Sequence, residues 1–138
     1  MNELTFTIMG KPQGKARPRF TRSGHAYTPN RTAYYESTIR RAYREAHGTK
    51  KLKGRVIAFV KAYFKPPASE SKKHKELMLA GKIPYTKKPD CDSIAKCVLD
   101  ALNGVAYDDD AAVNILISTK MYGEEDKVEI ILKGELET

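Results

Sequence analysis

Residues 89–104, PDCDSIAKCVLDALNG, fix one element of the fold more firmly than any other part of the chain. Pro89 opens the segment, Asp90 stands at the N-cap position, and Asn103–Gly104 is a usual helix stop. Between them Ile94, Val98, Ala101 and Leu102 form an apolar stripe, with Cys91, Ala95 or Leu99 at its margins. The spacing predicts a helix over 91–103 with one face to bury. Its polar side carries Asp92, Lys96 and Asp100 at intervals of four residues.

The remaining elements follow from the same patterns. Leu4, Phe6 and Ile8 alternate with Thr5, Thr7 and Met9, a strand that Gly10 and Pro12 end. Residues 30–46 read as a helix with Asn30 as N-cap and Gly48 as stop. Tyr34 or Tyr35, Ile39, Ala42 and Ala46 lie on its inner side, and Arg31, Arg40, Arg41 and Arg44 on its outer side. Residues 55–64, RVIAFVKAYF, read as a strand. Pro66 and Pro67 end it, and a short helix capped by Ser69 follows inside a basic insertion, 66–88, expected to be flexible without a partner. Residues 113–121 and 127–132 read as two strands, with 122–126 (YGEED) as their hairpin turn. The order β-α-β-(short α)-α-β-β predicts a single α+β (mixed α/β) domain over 1–138. Its expected form is a small sheet of about four strands covered by two main helices.

Charge is segregated along the chain. Residues 1–88 hold 21 Lys and Arg against 5 Asp and Glu, whereas residues 89–138 hold 4 against 12. The first part attracts a polyanion, and a nucleic acid is the partner expected of a chain with pI near 9.5. The loop at 11–29 concentrates the signal, with Lys11, Lys15, Arg17, Arg19 and Arg22 among Phe20, His25 and Tyr27. Cations pair with phosphates and aromatics stack on bases. Lys87 and Lys88 extend the basic surface to the edge of the acidic segment. Cys91 and Cys97 are too few for a zinc site and read as small core-facing residues.

The acidic segment supplies the chemistry. Asp90, Asp92 and the triplet Asp108–Asp110 flank one helix, and carboxylates beside a polyanion repel it unless a divalent cation intervenes. Mg²⁺ takes a few carboxylates and leaves positions for water and a substrate phosphate. It activates that water and relieves charge on the phosphate. Asp92 and Lys96 share a helical face, where a lysine serves as a surface ion pair or as a contact to the scissile phosphate. Alone, these features reach as far as a Mg²⁺-dependent protein acting on nucleic acid.

The string D-C-D-S-I-A-K-C-V-L-D-A-L-N-G, followed by Y-D-D-D-A-A-V, resembles the RusA family of Holliday junction resolvases. The family pattern is D-x-D-N, a lysine four residues after the second aspartate, D-A-L, and an acidic pair before A/S-Q-V. The loop containing K-A-R-P-R-F is also similar to phage- and prophage-type members. The resemblance implies that Asp90, Asp92 and Asp110 are catalytic and bind metal, that Asp109 is a further ligand, and that Lys96 is the catalytic lysine. It leaves Asp108 outside the match and gives Asp100 no role. Ser93 stands where the family has Asn, and Ala112 where it often has Gln.

The activity implied is a crossover junction endodeoxyribonuclease of recombination and repair. It uses Mg²⁺ (with Mn²⁺ as the alternative ion), binds branched DNA, and cuts as a homodimer with paired nicks. The competing readings are a non-catalytic junction-binding module and a nuclease of broader substrate range. Residues 2–9 are too short for a signal sequence or membrane span, and no apolar run approaches about 18 residues, so a cytoplasmic protein without membrane contact is expected.

Overall fold

The computed structural model describes residues 1–138. Its strands are β1 (Asn2–Met9), β2 (Arg19–Phe20), β3 (Ala26–Tyr27), β4 (Leu52–Phe64), β5 (Val113–Tyr122) and β6 (Lys127–Leu136). Its helices are α1 (Asn30–His47), α2 (Lys72–Leu79) and α3 (Cys91–Ala101), with a 3-10 turn at Asp110–Ala112. The main sheet has the order β1-β6-β4-β5, and β2 and β3 form a separate small ribbon within the basic loop. The expected α+β architecture is what the chain adopts.

Besides the added β2–β3 ribbon, the main sheet differs from the expected one in its strand pairing. β5 and β6 are not a hairpin: β4 lies between them, parallel to β5 and antiparallel to β6. The reason lies in β4, where Val56, Ala58, Val60, Ala62 and Phe64 are buried and the alternate residues are half-buried. A strand apolar on both faces belongs inside a sheet. α3 carries the chain from β4 to its parallel neighbour β5, as a parallel pair requires. The 123–126 link then passes the end of β4, where Gly123 N–H donates to Phe64 O (2.9 Å) and Lys65 N–H to Asp126 Oδ1 (2.8 Å).

α1 packs on β1, α3 on β4 and β5, and the two helices on each other, so both cover the same sheet face. Ile39, Tyr43, Ile94, Val98, Leu102, Val56, Ile130 and Leu132 are fully buried between them. The inner stripe of α1 runs through Thr32, Tyr35, Glu36, Ile39 and Tyr43, while Tyr34 and Ala46 are exposed. Tyr43 reaches past the smaller alanines because its hydroxyl donates to Lys50 O. Asn30 is the first helical residue rather than the cap; Pro29 takes that position in extended geometry, with no side-chain cap. Gly48 stops the helix at φ 63°, a conformation that glycine tolerates.

The 66–88 segment contacts the main sheet through Tyr85. Tyr85 stacks on Phe64 with centroids 3.8 Å apart and planes within 8°, Tyr122 meets it edge-on, and Met78 is buried. Ser71, not Ser69, caps α2, accepting from His74 N–H at 3.2 Å. α3 ends two residues before the expected boundary, within the ordinary fraying of helix ends. Cys97 is fully buried, its thiol pushed up to about 12 by desolvation, and Cys91 is partly covered. No helix is long and apolar enough to cross a membrane.

Candidate active site

Asp90 sits at the N-cap position of α3, yet its carboxylate does not cap the helix. Lys88 Nζ lies 2.8 and 2.9 Å from its two oxygens, and this ammonium holds the Asp90 carboxyl below the usual carboxylate range. Asp92 is exposed in the first turn of α3. Lys96 follows one turn later with its ammonium 3.5 Å from Asp100 Oδ2.

The second acidic group arrives from the loop after α3. Gly104 adopts φ 73°, and its N–H donates to Tyr107 O and Asp108 O, turning the chain back. Tyr107, buried, anchors the loop by donating from its hydroxyl to Leu99 O (2.7 Å). Asn103 Oδ1 accepts from Asp110 N–H (2.8 Å), and Asp109 Oδ2 accepts from Ala111 N–H (3.0 Å). Asp110 is thereby brought to the polar face of α3. Burial and the neighbouring Asp100 and Asp109 carboxylates raise its pKa. Asp108 turns away to pair with Lys51 at 2.5 Å.

The expected ligands therefore form two groups, Asp90 with Asp92 at the start of α3 and Asp109 with Asp110 beyond its end. No three His, Cys, Asp or Glu side chains converge on one point. The donors are nevertheless all hard oxygens, which suits Mg²⁺.

The basic residues surround a cleft of about 750 Å³ between the 11–19 loop, the start of α1 and the start of α3. Lys11, Lys15, Arg17, Arg19, Arg31 and Lys88 line it, and Asp90 is its only acid. Arg22 is exposed in the turn between β2 and β3, and Lys87 lines a smaller hollow with Lys11, Tyr85 and Tyr122. Phe20 and Tyr34 are about 70% exposed and Tyr27 about half, leaving aromatic faces beside these cations.

Lys15 departs from its neighbours. Its ammonium is 2.6 Å from Glu36 Oε2 and 3.4 Å from Asp100 Oδ2, and little of it is exposed. The loop is stitched to both helices at this point. Lys15 N–H donates to Ser93 O (3.0 Å), and Ala16 N–H to Thr32 Oγ1 (3.3 Å). A Cβ on Gly14 would come within 2.4 Å of Ser93 Oγ, so glycine is what lets the loop approach α3.

Asp100, Glu36 and Asn103 are the residues that patterns along the chain left without a site role. Asp100 was visible as the third member of a polar stripe and as the aspartate of the family's D-A-L, in neither case with a role. Asn103 reads as a helix terminator, and nothing in the sequence distinguishes Glu36 from a surface acid.

Two comparisons bear on identity. The family model described as Endodeoxyribonuclease RusA matches residues 9–133, which span the cleft and both acidic groups. The chain is also similar to the uncharacterized protein YqaN of Bacillus subtilis (strain 168), with 35% identity over 138 residues, covering 96% of this chain and 97% of that protein. With the cleft and the acidic helix both inside the matched region, the chain belongs to the RusA endodeoxyribonuclease family.

Proposed function

We propose that this protein is a Mg²⁺-dependent endodeoxyribonuclease that resolves four-way DNA junctions by paired nicks, acting in recombination and repair in the cytoplasm. The observation that carries the reading is the cleft, where Lys11, Arg17, Arg19, Arg31 and Lys88 surround a single acid, Asp90, at the start of the helix bearing Asp92 and Lys96. A DNA backbone drawn into it by phosphate contacts comes to lie against the polar face of α3.

Asp90, Asp92, Asp109 and Asp110 are the residues that would hold Mg²⁺, or Mn²⁺ in its place. A bound ion of this kind supplies an activated water and relief of charge on the phosphate. Lys96 adds a cation one turn from Asp92, where negative charge builds on the phosphate as the bond breaks. Arg17, Arg19 and Arg31 hold the backbone, and Phe20 and Tyr27 offer stacking faces to bases unpaired at a branch. A homodimer suits paired cuts related by a two-fold axis. It draws support from β5, an edge strand with Ile115, Leu116 and Ile117 each more than 40% exposed.

The separation of the two acidic groups favours a second reading, a junction-binding module without catalysis. The test is a labelled four-way junction with Mg²⁺, beside linear duplex and a flap, with Asp92→Asn as control. Paired nicks confined to the junction and absent from the variant are expected. Tight binding without nicks selects the module, and equal cutting of all three substrates removes the junction selectivity.

A further inference from the structure

Three charged elements meet on the flank of α3, in a geometry that a solvated surface does not need. Lys15, 17% exposed, comes from the basic loop and lies between Glu36 (12% exposed) and Asp100 (22% exposed). Lys96, from α3 itself, approaches the same Asp100 oxygen that Lys15 does, at 3.5 against 3.4 Å. Glu36 comes from α1, so the loop and both main helices each place a charged side chain at this point.

As a device for stability alone this is a poor choice. Glu36, at 2.6 Å, already neutralises Lys15 without help. A second carboxylate, 22% exposed, adds a desolvation cost that a surface ion pair with Lys96 does not need. Local rules are broken in this way where function requires it.

We propose that Asp100 is a positioning residue for phosphodiester cleavage: clamped by Lys15, it sets where the Lys96 ammonium stands. The assignment rests on the nuclease reading above, and it makes Lys15 an internal strut rather than a phosphate contact. The strut couples the loop to the site. Lys15 belongs to the segment stitched to Ser93 and Thr32, so DNA held by Arg17 and Arg19 is held in fixed register with Lys96.

The test compares wild type with Asp100→Asn, Asp100→Glu and the double variant Lys15→Met/Glu36→Gln, which removes the buried pair together. Melting midpoint, junction affinity against salt, and single-turnover cleavage with Mg²⁺ are measured on each. Without metal or DNA, acetylation of Lys96 relative to the exposed Lys73 is followed by mass spectrometry. Asp100→Asn is expected to keep its midpoint and junction affinity and to acetylate faster at Lys96. Its cleavage is expected to fall about 10- to 100-fold, the scale of lost outer-shell partners. Asp100→Glu is expected to recover part of that loss. The double variant is expected to cut more slowly with an unchanged salt slope.

Cleavage by Asp100→Asn at the wild-type rate overturns the proposal and leaves the nuclease reading intact. Unchanged Lys96 acetylation overturns it whatever the cleavage rate. A salt slope reduced by about one in the double variant makes Lys15 a phosphate contact and also overturns it. If wild type cuts no DNA, the nuclease reading fails and the proposal with it; faster Lys96 acetylation in Asp100→Asn would then show only the clamp. If Asp100→Asn melts far below wild type, the double variant and Asp100→Glu decide by the same measurements.

Discussion

Lys88 engages both carboxylate oxygens of Asp90, at 2.8 and 2.9 Å, although both side chains are more than half exposed. An ammonium thus occupies the position that a divalent cation would need on this carboxylate. The same lysine lines the basic cleft, where a DNA phosphate would draw it away. Lys88→Ala is expected to raise Mn²⁺ affinity in the absence of DNA about two- to fivefold, the scale of an exposed ion pair. It is also expected to reduce the salt slope of junction binding by about one. Calorimetric titration with Mn²⁺ and binding at several salt concentrations check the two halves separately. Unchanged Mn²⁺ affinity would count against Asp90 as a ligand.

Gly14 and Ser93 define how closely the loop approaches the acidic helix. A Cβ on Gly14 would meet Ser93 Oγ at 2.4 Å and Pro89 Cβ at 3.1 Å, and one of the three must move. Gly14→Ala is expected to destabilise the protein by about 1–3 kcal/mol, the usual cost of overpacking, and to weaken DNA binding. Ser93→Gly removes the nearest obstacle, so Gly14→Ala/Ser93→Gly is expected to recover part of the stability. A thermodynamic cycle across the four proteins measures that coupling. Additive effects would show that the approach at Gly14 is not limited by Ser93.

Much of this architecture was legible along the chain because it depends on local period. The α3 stripe, the alternation in β1 and the stop at Gly48 are each set within a few residues. The exchange of β4 for an expected β5–β6 hairpin was not legible. Two strands joined by a short link look alike whether they pair directly or flank a third. At the site, the spacing of Asp92, Lys96 and Asp100 marked one helical face, Asp90 stood at its N-cap, and the family pattern carried Asp110. Neither could reveal that Asp90 is held by Lys88, or that Lys15 is spent on Glu36 and Asp100. Those facts belong to loops, whose side-chain partners are fixed by tertiary packing rather than by period.

Tyr35 and Tyr43 make the fold sensitive to alkali. Burial pushes each phenol up to about 12, against about 10 in an unfolded chain. The unfolded state therefore loses these protons first. Their stabilisation is complete below about pH 10 and is lost as pH rises toward 12. The Tyr35 hydroxyl is buried without a well-formed hydrogen bond, although the Gln13 backbone lies near it. Tyr35→Phe is expected to keep or raise the melting midpoint at pH 7 and to flatten its fall between about pH 9.5 and 11. Tyr43→Phe loses the bond to Lys50 O and is expected to cost about 0.5–1.5 kcal/mol at pH 7. Parallel melting curves for Tyr35→Phe and wild type across that range would contradict the first expectation.

β5 presents an unpaired edge running from Val113 to Thr119 without a charge or a proline. Edges of that kind invite another strand, and soluble proteins ordinarily guard them with lysine or proline. Ile115 and Ile117 lie on the sheet face that carries no helix, beside the half-buried Ile57 and Phe59, while Leu116 lies on the helical side. A second copy related by a two-fold axis would satisfy the edge and cover all three residues, closing the assembly at two. Ile117→Lys places a charge in the middle of that edge and is expected to convert a dimer to a monomer at micromolar concentration. Sedimentation velocity on the two proteins checks this. The acidic residues and the cleft belong to other parts of the chain, so the monomer is expected to retain its fold and its affinity for DNA phosphates. On the proposed function, the monomer is expected to make single nicks in place of paired ones. A variant that stays dimeric and still makes paired nicks would place the interface elsewhere.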